Sequence, residues 1–260
     1  MTIPTVFAHR GFAGKYPENT VPAMRGAVAD GADAVEIDVQ PTADGDVVVF
    51  HDRRLDGSDG DSARGLTDAA GVVWEQPTEK VTAARVLGTG DPIPLLSDVL
   101  SAVPETVTVN VELKNPGSDD VRPGEALGGA PRRQARRRWE PFVESVLSVT
   151  DRFDHDVLFS SFCEGALAAL DDSASTDRAA VLVAPNCAEA GETLARRYDV
   201  DAIHPPVEML QGDPGLAATA DDLGTACNAW TVRTWLDARD AIEAGADGII
   251  ADYPGLLEEL

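Results

Sequence analysis

Apolar residues recur along the chain in short runs, and segments with helical spacing lie between most of them. The clearest run covers residues 106–114, where Val107, Val109 and Val111 alternate with polar residues, as on a strand with one buried face. The other runs are short and nearly continuous, which favours buried strands of a parallel sheet. The predicted strands are Thr5–Ala8, the run around Val35–Val39, Val47–Phe50, Thr106–Lys114, Val157–Ser160, Ala180–Val183, Ala202–His204, Ala226–Val232 and Gly248–Asp252.

Helical spacing between these runs predicts the connecting elements. The first helix begins at Asn19 or Thr20, with Asn19 as the candidate N-cap, and Gly31 follows its end at Asp30. The region 53–94 is rich in Gly, Asp, Thr and Pro and has no sustained period, so it predicts an irregular excursion. The other predicted helices cover 78–87, 95–102, 132–152, 163–170, 188–198, a short segment near 216, 234–244 and 256–260.

Strand and helix alternate about eight times, which is the number of units that a closed parallel barrel needs. A length of 260 residues suits one such domain, and a hydrophobic share of 43% is ample for its core. We therefore predict an α/β fold of the TIM-type (β/α)8 class. A single barrel domain would span residues 1–260, with a short cap-like excursion at roughly 53–94, after the second strand.

The formal net charge is −24, and only three of the residues are lysines (Lys15, Lys80 and Lys114). Such a charge repels a nucleic-acid backbone or an anionic membrane surface. Lysine depletion is typical of salt-loving archaea, in which salt screens the self-repulsion, so we predict a halophilic protein rather than an ordinary acidic enzyme. The three cysteines have no C-x-x-C pair and are expected to be reduced. No signal peptide and no membrane-spanning run is recognisable, which predicts a cytoplasmic location without membrane insertion.

Two carboxylates stand two residues apart inside an apolar run, at Glu36 and Asp38. On a strand both project from one face, where they repel each other and lose hydration. A bound divalent cation is the simplest compensation, and ligands that offer only oxygen favour a hard ion such as Mg²⁺ or Ca²⁺. A wet acidic face on an edge strand would explain the same two residues, so this motif alone is weak.

Other polar side chains stand where the predicted strands end. His9 and Arg10 follow the first strand, His51 follows the hairpin strand, and Glu112 and Lys114 end the alternating strand. The carboxyl ends of parallel barrel strands meet at one mouth, which is where barrel enzymes place their chemistry. The sequence therefore predicts that these residues meet Glu36 and Asp38 around one ion.

The motifs at these positions resemble those of the glycerophosphodiester phosphodiesterases. The resemblance covers nearly the whole chain in order and is specific as a set. The segments that carry it are AHRG at 8–11, PENT at 17–20, VEIDV at 35–39, FHD at 50–52, VELK at 111–114, SSF at 160–162, AWTV at 229–232 and GADGIIADYP at 245–254.

This resemblance implies a TIM-type barrel that hydrolyses glycerophosphodiesters to glycerol 3-phosphate and an alcohol with the help of Ca²⁺ or Mg²⁺. It implies three kinds of site residue, carried over by motif. Glu36, Asp38 and Glu112 match the metal ligands, and His9 and His51 match the acid/base pair. The substrate-binding candidates are Arg10 and Lys114, which fall where the family contacts phosphate, with Asn19, Phe162 and Trp230 as further members of the site.

Elementary chemistry agrees with these assignments. Charge grows on the non-bridging oxygens of a phosphodiester during displacement, and a cation, Arg10 and Lys114 would stabilise it. One histidine would remove a proton from the attacking hydroxyl, and the other would donate one to the leaving alkoxide. Whether a cyclic intermediate forms, which histidine acts first as acid, which alcohol leaves and how many subunits assemble all stay open.

Several residues carry a structural interpretation beside the functional one. His155 and His204 are expected to be structural, Asp52 is expected to orient His51, and Asp252 is expected to brace the barrel mouth by hydrogen bonding. Phe162 and Trp230 could be core aromatics instead of pocket walls. The arginine run at 132–138 is expected to pair with acids on the surface or on a neighbouring chain, and the alternative is that its helix and the preceding loop form a lid that attracts an anionic substrate.

Three other functions fit parts of the pattern. One is a related barrel phosphodiesterase that acts on another phospholipid-derived diester. Another is a barrel that binds phosphate esters without catalysis, although a binding protein has no need of two proton carriers. The last is a metal-dependent aldolase barrel, which does not require the motifs at 9–11 and 111–114.

Overall fold

A computed structural model of the chain describes residues 4–57, 66–173, 178–212 and 215–257. Within these ranges eight parallel strands close into a barrel with helices between them, and a ninth strand pairs antiparallel with the second. The fold prediction is thereby confirmed. The strands are β1 (Thr5–Ala8), β2 (Ala34–Pro41), β3 (Val47–Val49), β4 (Thr108–Leu113), β5 (Val157–Ser161), β6 (Arg178–Leu182), β7 (Ala202–His204), β8 (Ala226–Val232) and β9 (Gly248–Ala251).

The barrel order follows the chain except where β3 folds back onto β2. The order is β1-β2-β4-β5-β6-β7-β8-β9, and β9 pairs with β1 to close the ring. The helices are α1 (Val21–Ala29), α2 (Thr78–Ala83), α3 (Leu96–Ala102), α4 (Gly129–Thr150), α5 (Glu164–Asp171), α6 (Ala188–Tyr198), α7 (Val207–Gly212), α8 (Gly215–Leu223) and α9 (Trp235–Glu243), with a 3₁₀ turn at Val73–Glu75. None of the helices in the described ranges combines the length and apolar composition that spanning a membrane requires.

Alternation along the strands divides the apolar residues into two layers. Residues on the outer strand face, such as Val35, Ile37 and Val111, pack beneath the helices in the main core. A smaller cluster fills the barrel interior, and it combines Phe7, Leu158 and Ile250 with the alanines of neighbouring strands. Because this inner cluster leaves the upper part of the barrel to polar side chains, chemistry is confined to one end.

The excursion between β3 and α3 has an apolar cluster of its own. Phe50, Leu55, Val73, Val81 and Ile93 are buried together there. Isolated bridges, such as the one between Arg85 and Pro92, replace regular strands. This agrees with the irregular excursion that the sequence predicts; that it acts as a cap stays a prediction.

Several predicted boundaries need correction. The N-cap of α1 is Thr20, whose hydroxyl accepts a hydrogen bond from the Ala23 amide at 3.2 Å, because Asn19 is turned towards β2 instead. The helix predicted over 78–87 ends at Ala83, since extended backbone at Ala84 leads into the bridges of the excursion. The segment near 216 holds two helices, and α4 begins before the arginine run. The helix predicted at 256–260 is a turn at 254–257, and its last three residues lie outside the described ranges.

Candidate active site

Three carboxylates from two adjacent strands meet inside the mouth of the barrel. Glu36 and Asp38 lie on β2, and the parallel register with β4 places Glu112 directly beside Asp38. One oxygen from each of the three lies within 4.8 Å of the others, and all three side chains are buried. The structure therefore brings together the three predicted metal ligands.

Arg10 and Lys114 place positive charge against this cluster. The Nε atom of Arg10 lies 3.1 Å from Oδ2 of Asp38, and its backbone N–H donates to Oε2 of Glu36 at 2.9 Å. The ammonium of Lys114 lies 2.8 Å from Oε1 of Glu112 and 3.6 Å from Oδ1 of Asp38. Two cations thus face three carboxylates, so the carboxyl groups outnumber the positive groups of the cluster.

The pKa values of the three carboxyls diverge because they crowd one another. Burial and the neighbouring carboxylates raise the pKa of Glu36 well above its ordinary value. Burial likewise raises the pKa of Glu112 to about 7, against the opposing effect of Lys114. For Asp38 burial acts in the same direction, but Arg10, Lys114 and the other donors around it outweigh burial and hold the pKa well below the ordinary value. Asp38 is therefore the carboxylate that the site keeps ionised most firmly.

The cluster fits a hard divalent cation. Its donors are all carboxylate oxygens, which is the donor set that Ca²⁺ and Mg²⁺ prefer. Oδ1 of Asp38 is buried without a hydrogen-bond partner, although buried polar atoms nearly always have one. Glu36, Asp38 and Glu112 are the residues that could hold such an ion.

The two predicted catalytic histidines lie at the same mouth, and each is fixed by a carboxylate. Nδ1 of His9 lies 2.6 Å from Oδ1 of Asp252, and Nδ1 of His51 lies 2.6 Å from Oδ1 of Asp52. Because a carboxylate only accepts, each Nδ1 carries the proton, and Nε2 is left for proton transfer. Asp52 thus contacts His51 as expected. Asp252, for which the sequence predicts only hydrogen bonding at the barrel mouth, bonds to His9, and Nε of Arg233 donates to its other oxygen at 2.9 Å.

Burial lowers the pKa of both histidines. For His9 the second cause is the nearby Arg10 guanidinium, and hydrogen bonding to Asp252 opposes the shift without reversing it. Burial, Lys114 and Arg10 together lower the pKa of His51 to about 4. Both imidazoles are therefore neutral at pH 7, and a neutral ring can accept a proton at Nε2.

The segment after β1 has an unusual backbone that aims Arg10 and Asn19 at β2. Arg10, Phe12 and Asn19 adopt left-handed conformations, with φ of 50°, 61° and 57°. Gly11 also has positive φ, and a Cβ there would lie 2.9 Å from the Ala23 backbone, so α1 packs directly on this turn. Strained backbone of this kind clusters at functional sites.

Asn19 lies behind Asp38. Its amide nitrogen donates to Oδ2 of Asp38 at 2.8 Å, and its Oδ1 accepts from the Asp38 backbone N–H at 3.3 Å. These contacts make Asn19 a candidate for positioning the carboxylate, beside the substrate contact that the sequence predicts.

A cavity of about 780 Å³ opens beside these groups. Phe162 and Trp230 form part of its wall, with ring centroids 5.3 Å apart in an edge-to-face arrangement. The Lys114 ammonium lies 5.6 Å from the Phe162 ring centroid, so this aromatic wall adjoins the cationic side of the cavity. Leu66 and Leu87 reach the cavity from the excursion.

Gln40 is a member of the site that sequence reasoning missed. Its side-chain nitrogen donates to the backbone carbonyls of Phe50, His51 and Asp52, at 2.7, 3.2 and 2.9 Å. It thereby fixes the turn that carries His51. The alternation of β2 could have revealed it, since Gln40 follows Glu36 and Asp38 on the same strand face.

The remaining histidines and the arginine run lie outside this mouth. His155 contacts the Val103 carbonyl at 3.0 Å, and His204 is buried inside the barrel, where Asn228 donates to its Nε2 at 3.1 Å. In the arginine run, Arg136 contacts Asp172 and Arg138 contacts Asp120 at 2.8 Å. These contacts agree with the structural interpretation of the two histidines, Arg136 and Arg138.

The chain is similar to known proteins along nearly its whole length. The sequence profile of the glycerophosphoryl diester phosphodiesterase family matches residues 9–256. An uncharacterised protein of Bacillus subtilis, YqiK, is 32% identical over 96% of this chain and 95% of its own length. A glycerophosphodiester phosphodiesterase of Bacillus altitudinis is 29% identical over 96% of this chain and 94% of its own.

Solved structures of the same fold agree. A putative glycerophosphoryl diester phosphodiesterase from Silicibacter pomeroyi matches with a TM-score of 0.78 and 25% identity, over 98% of this chain and 92% of that one. A phosphodiesterase from Oleispira antarctica, solved with its product sn-glycerol-3-phosphate, matches with a TM-score of 0.77 and 22% identity, over 99% of this chain and 96% of that one. Both similarities run the full length of the barrel.

Proposed function

This chain belongs to the glycerophosphoryl diester phosphodiesterase family and is a phosphoric diester hydrolase, and we propose that it hydrolyses glycerophosphodiesters to glycerol 3-phosphate and an alcohol by a metal-dependent mechanism with two histidines. One observation carries the mechanism. Glu36, Asp38 and Glu112 form one buried carboxylate cluster, and two of them, Glu36 and Glu112, line the same cavity as His9 and His51.

The cations of the site would hold the phosphodiester. A bound Ca²⁺ or Mg²⁺ supplies Lewis-acid stabilisation of a non-bridging phosphate oxygen. Glu36, Asp38 and Glu112 would hold this ion. The Arg10 fork and the Lys114 ammonium border the same cavity, where they would bind the phosphate and stabilise the charge that develops on it. Because the cluster already neutralises part of their charge, they hold an anion without repelling each other strongly.

His9 and His51 would carry the protons. One neutral imidazole accepts the proton of the attacking hydroxyl at Nε2. The other takes up a proton from solvent water at its Nε2 and donates that proton to the leaving alkoxide. Asp252 and Asp52 hold the two rings by Nδ1 and stabilise the imidazolium that forms at each step. Gln40 keeps the His51 turn in place, and Phe162 and Trp230 would enclose the glyceryl group.

A metal-titrated assay tests this function. Glycerophosphocholine, glycerophosphoethanolamine and glycerophosphoglycerol should each be followed by the release of glycerol 3-phosphate, before and after chelation and with Ca²⁺ or Mg²⁺ restored. Chelation should abolish turnover and either ion should restore it. His51→Gln should lower kcat by roughly 10²- to 10⁴-fold. The matched control is His155→Gln, because His155 lies outside the cavity, and it should keep its rate.

Two outcomes would contradict the proposal. Binding of these diesters without release of glycerol 3-phosphate would indicate a barrel that only binds phosphate esters. Full turnover by the chelated enzyme or by His51→Gln would remove the ion or His51 from the mechanism.

That residues 1–260 form one catalytic domain, in the cytoplasm of a halophile, stays a prediction. A melting temperature that does not rise with KCl would contradict the halophilic part, because salt screens a net charge of −24.

A further inference from the structure

Two buried side chains line the cavity with polar atoms that have no partner. Both polar side-chain atoms of Asn110, Nδ2 and Oδ1, lack a hydrogen bond, and so does the hydroxyl of Ser160. Both residues are fully buried and both border the cavity. An unpaired buried amide or hydroxyl is costly, so these atoms are expected to meet a ligand or water.

Their place in the barrel is set by strand register. Asn110 on β4 lies beside Glu36 of β2, and Ser160 on β5 lies beside Glu112 of β4. Asn110 precedes Glu112 by two residues on the same strand face, which places it about 6–7 Å deeper in the barrel. The cavity therefore descends from the charged mouth past Ser160 to Asn110.

The chemistry of these atoms differs from that of the mouth. A phosphate only accepts hydrogen bonds, and Arg10 and Lys114 already face it with donors. The Asn110 amide offers a donor and an acceptor together, and a hydroxyl is the ligand group that uses both. An apolar group at this depth would leave all three atoms unpaired.

In a glycerophosphodiester the terminal hydroxyl is the group furthest from phosphorus along the glyceryl chain. With the phosphate bound at the mouth, a glyceryl chain directed into the cavity would bring this hydroxyl to the level of Asn110. We propose that Asn110 binds the terminal hydroxyl of the glyceryl group, that Ser160 supports the neighbouring hydroxyl, and that this pair selects glyceryl diesters. The proposal rests on the proposed function and identifies the substrate feature that the site recognises.

The test compares two substrates on the unmodified enzyme. Glycerophosphocholine carries the terminal hydroxyl, whereas the choline phosphodiester of propane-1,2-diol lacks it but keeps the secondary hydroxyl. We expect kcat/KM to be roughly 10- to 100-fold higher for glycerophosphocholine, because the analogue leaves Asn110 unpaired. Equal values for the two substrates overturn the proposal without any variant. If neither diester is hydrolysed, the proposed function itself fails.

Substitution of Asn110 then locates the contact. Asn110→Leu keeps the shape and removes both polar atoms. It should lower kcat/KM for glycerophosphocholine to about the level of the analogue, while the analogue changes by less than roughly 3-fold. Ser160→Ala should lower kcat/KM for both substrates by similar factors, because both carry the secondary hydroxyl, so the ratio between the two substrates should stay unchanged. Equal losses of kcat/KM on both substrates for Asn110→Leu would mean a structural role or a bound water, and would overturn the proposal.

Thr108→Val is the matched control, because Thr108 lies on the same face of β4 outside the cavity and donates to Asp156 at 3.2 Å. It should leave the ratio between the two substrates unchanged. Thermal unfolding of each variant shows that the comparison is made on folded protein. If Asn110→Leu does not fold, the ratio of kcat/KM between the two substrates on the unmodified enzyme still decides the question.

Discussion

Two regions of the molecule bury carboxylates, and they do so in opposite ways. Glu164 at the start of α5 is fully buried, and it accepts hydrogen bonds from the Leu127 amide, the Arg197 guanidinium and the Tyr198 hydroxyl, the last at 2.9 Å. At the mouth, three carboxylates share two cations, and Oδ1 of Asp38 has no hydrogen-bond partner.

The difference separates a structural charge from a functional one. Around Glu164 each bond closes a contact between distant segments, and nothing remains for a ligand. At the mouth the incomplete pairing costs stability, since crowded carboxylates repel. A bound cation would supply the partner that these carboxylate oxygens lack. Unpaired polar atoms are thus a better guide to the proposed active site than buried charge alone.

The largest expected effect shows that the two regions support different properties, catalytic activity at the mouth and stability around Glu164. Asp38→Asn keeps the shape of the side chain and should lower kcat/KM by roughly 10²- to 10³-fold, because one charge of the ion site is lost. Glu164→Gln should keep kcat/KM and lower the free energy of unfolding by about 3 kcal/mol, because Arg197 loses its charged partner. Steady-state kinetics and urea unfolding of both variants are the measurements. A Glu164→Gln enzyme that is stable but inactive would remove the distinction.

The next prediction concerns His204, a fully buried side chain whose imidazole stays neutral. Burial lowers its pKa to about 3. Since the unfolded value is about 6.5, neutral His204 contributes stability that is complete above that pH and is lost as pH falls from about 6.5 towards about 3. His204→Gln removes this contribution. The stability difference between wild type and variant should therefore shrink below pH 6.5, by at most about 1.4 kcal/mol per pH unit. A difference that stays constant between pH 7 and 4.5 would show that the ring is accessible to protons.

The smallest expected effect measures the repulsion among the three carboxylates at the mouth. Glu36→Gln removes one of three crowded carboxylates, so the chelated variant should have a free energy of unfolding about 1 kcal/mol higher than that of chelated wild type. Assayed with Ca²⁺ or Mg²⁺ restored, the variant should be less active than wild type. Glu79→Gln changes the net charge equally at the start of α2 and should move stability by less than about 0.5 kcal/mol. Chemical unfolding of the chelated proteins measures both. A chelated Glu36→Gln less stable than wild type would mean that its contact with the Arg10 amide outweighs the repulsion.

Much of this architecture could be predicted from local pattern. Period-two alternation placed Glu36 with Asp38, and Val107 with Val111, on the faces that the barrel uses. Helix bounds were less accurate, because capping depends on contacts that the helix does not contain. Asn19 is such a case, since its side chain bonds to Asp38 and leaves the cap to Thr20.

The sequence by itself determined the number of strands, the face on which each polar residue stands and the large negative charge, because all three follow from neighbouring residues. The sequence also predicted that the strand ends meet at one mouth, but only the tertiary structure decided which atoms come into contact there. His9 bonds to Asp252 across 243 residues of sequence, and Asp38 meets Glu112 through strand register. The unpaired atoms of Asn110 also appear only when the barrel closes. Closure brings together the ends of separate strands, and no local pattern encodes those distances.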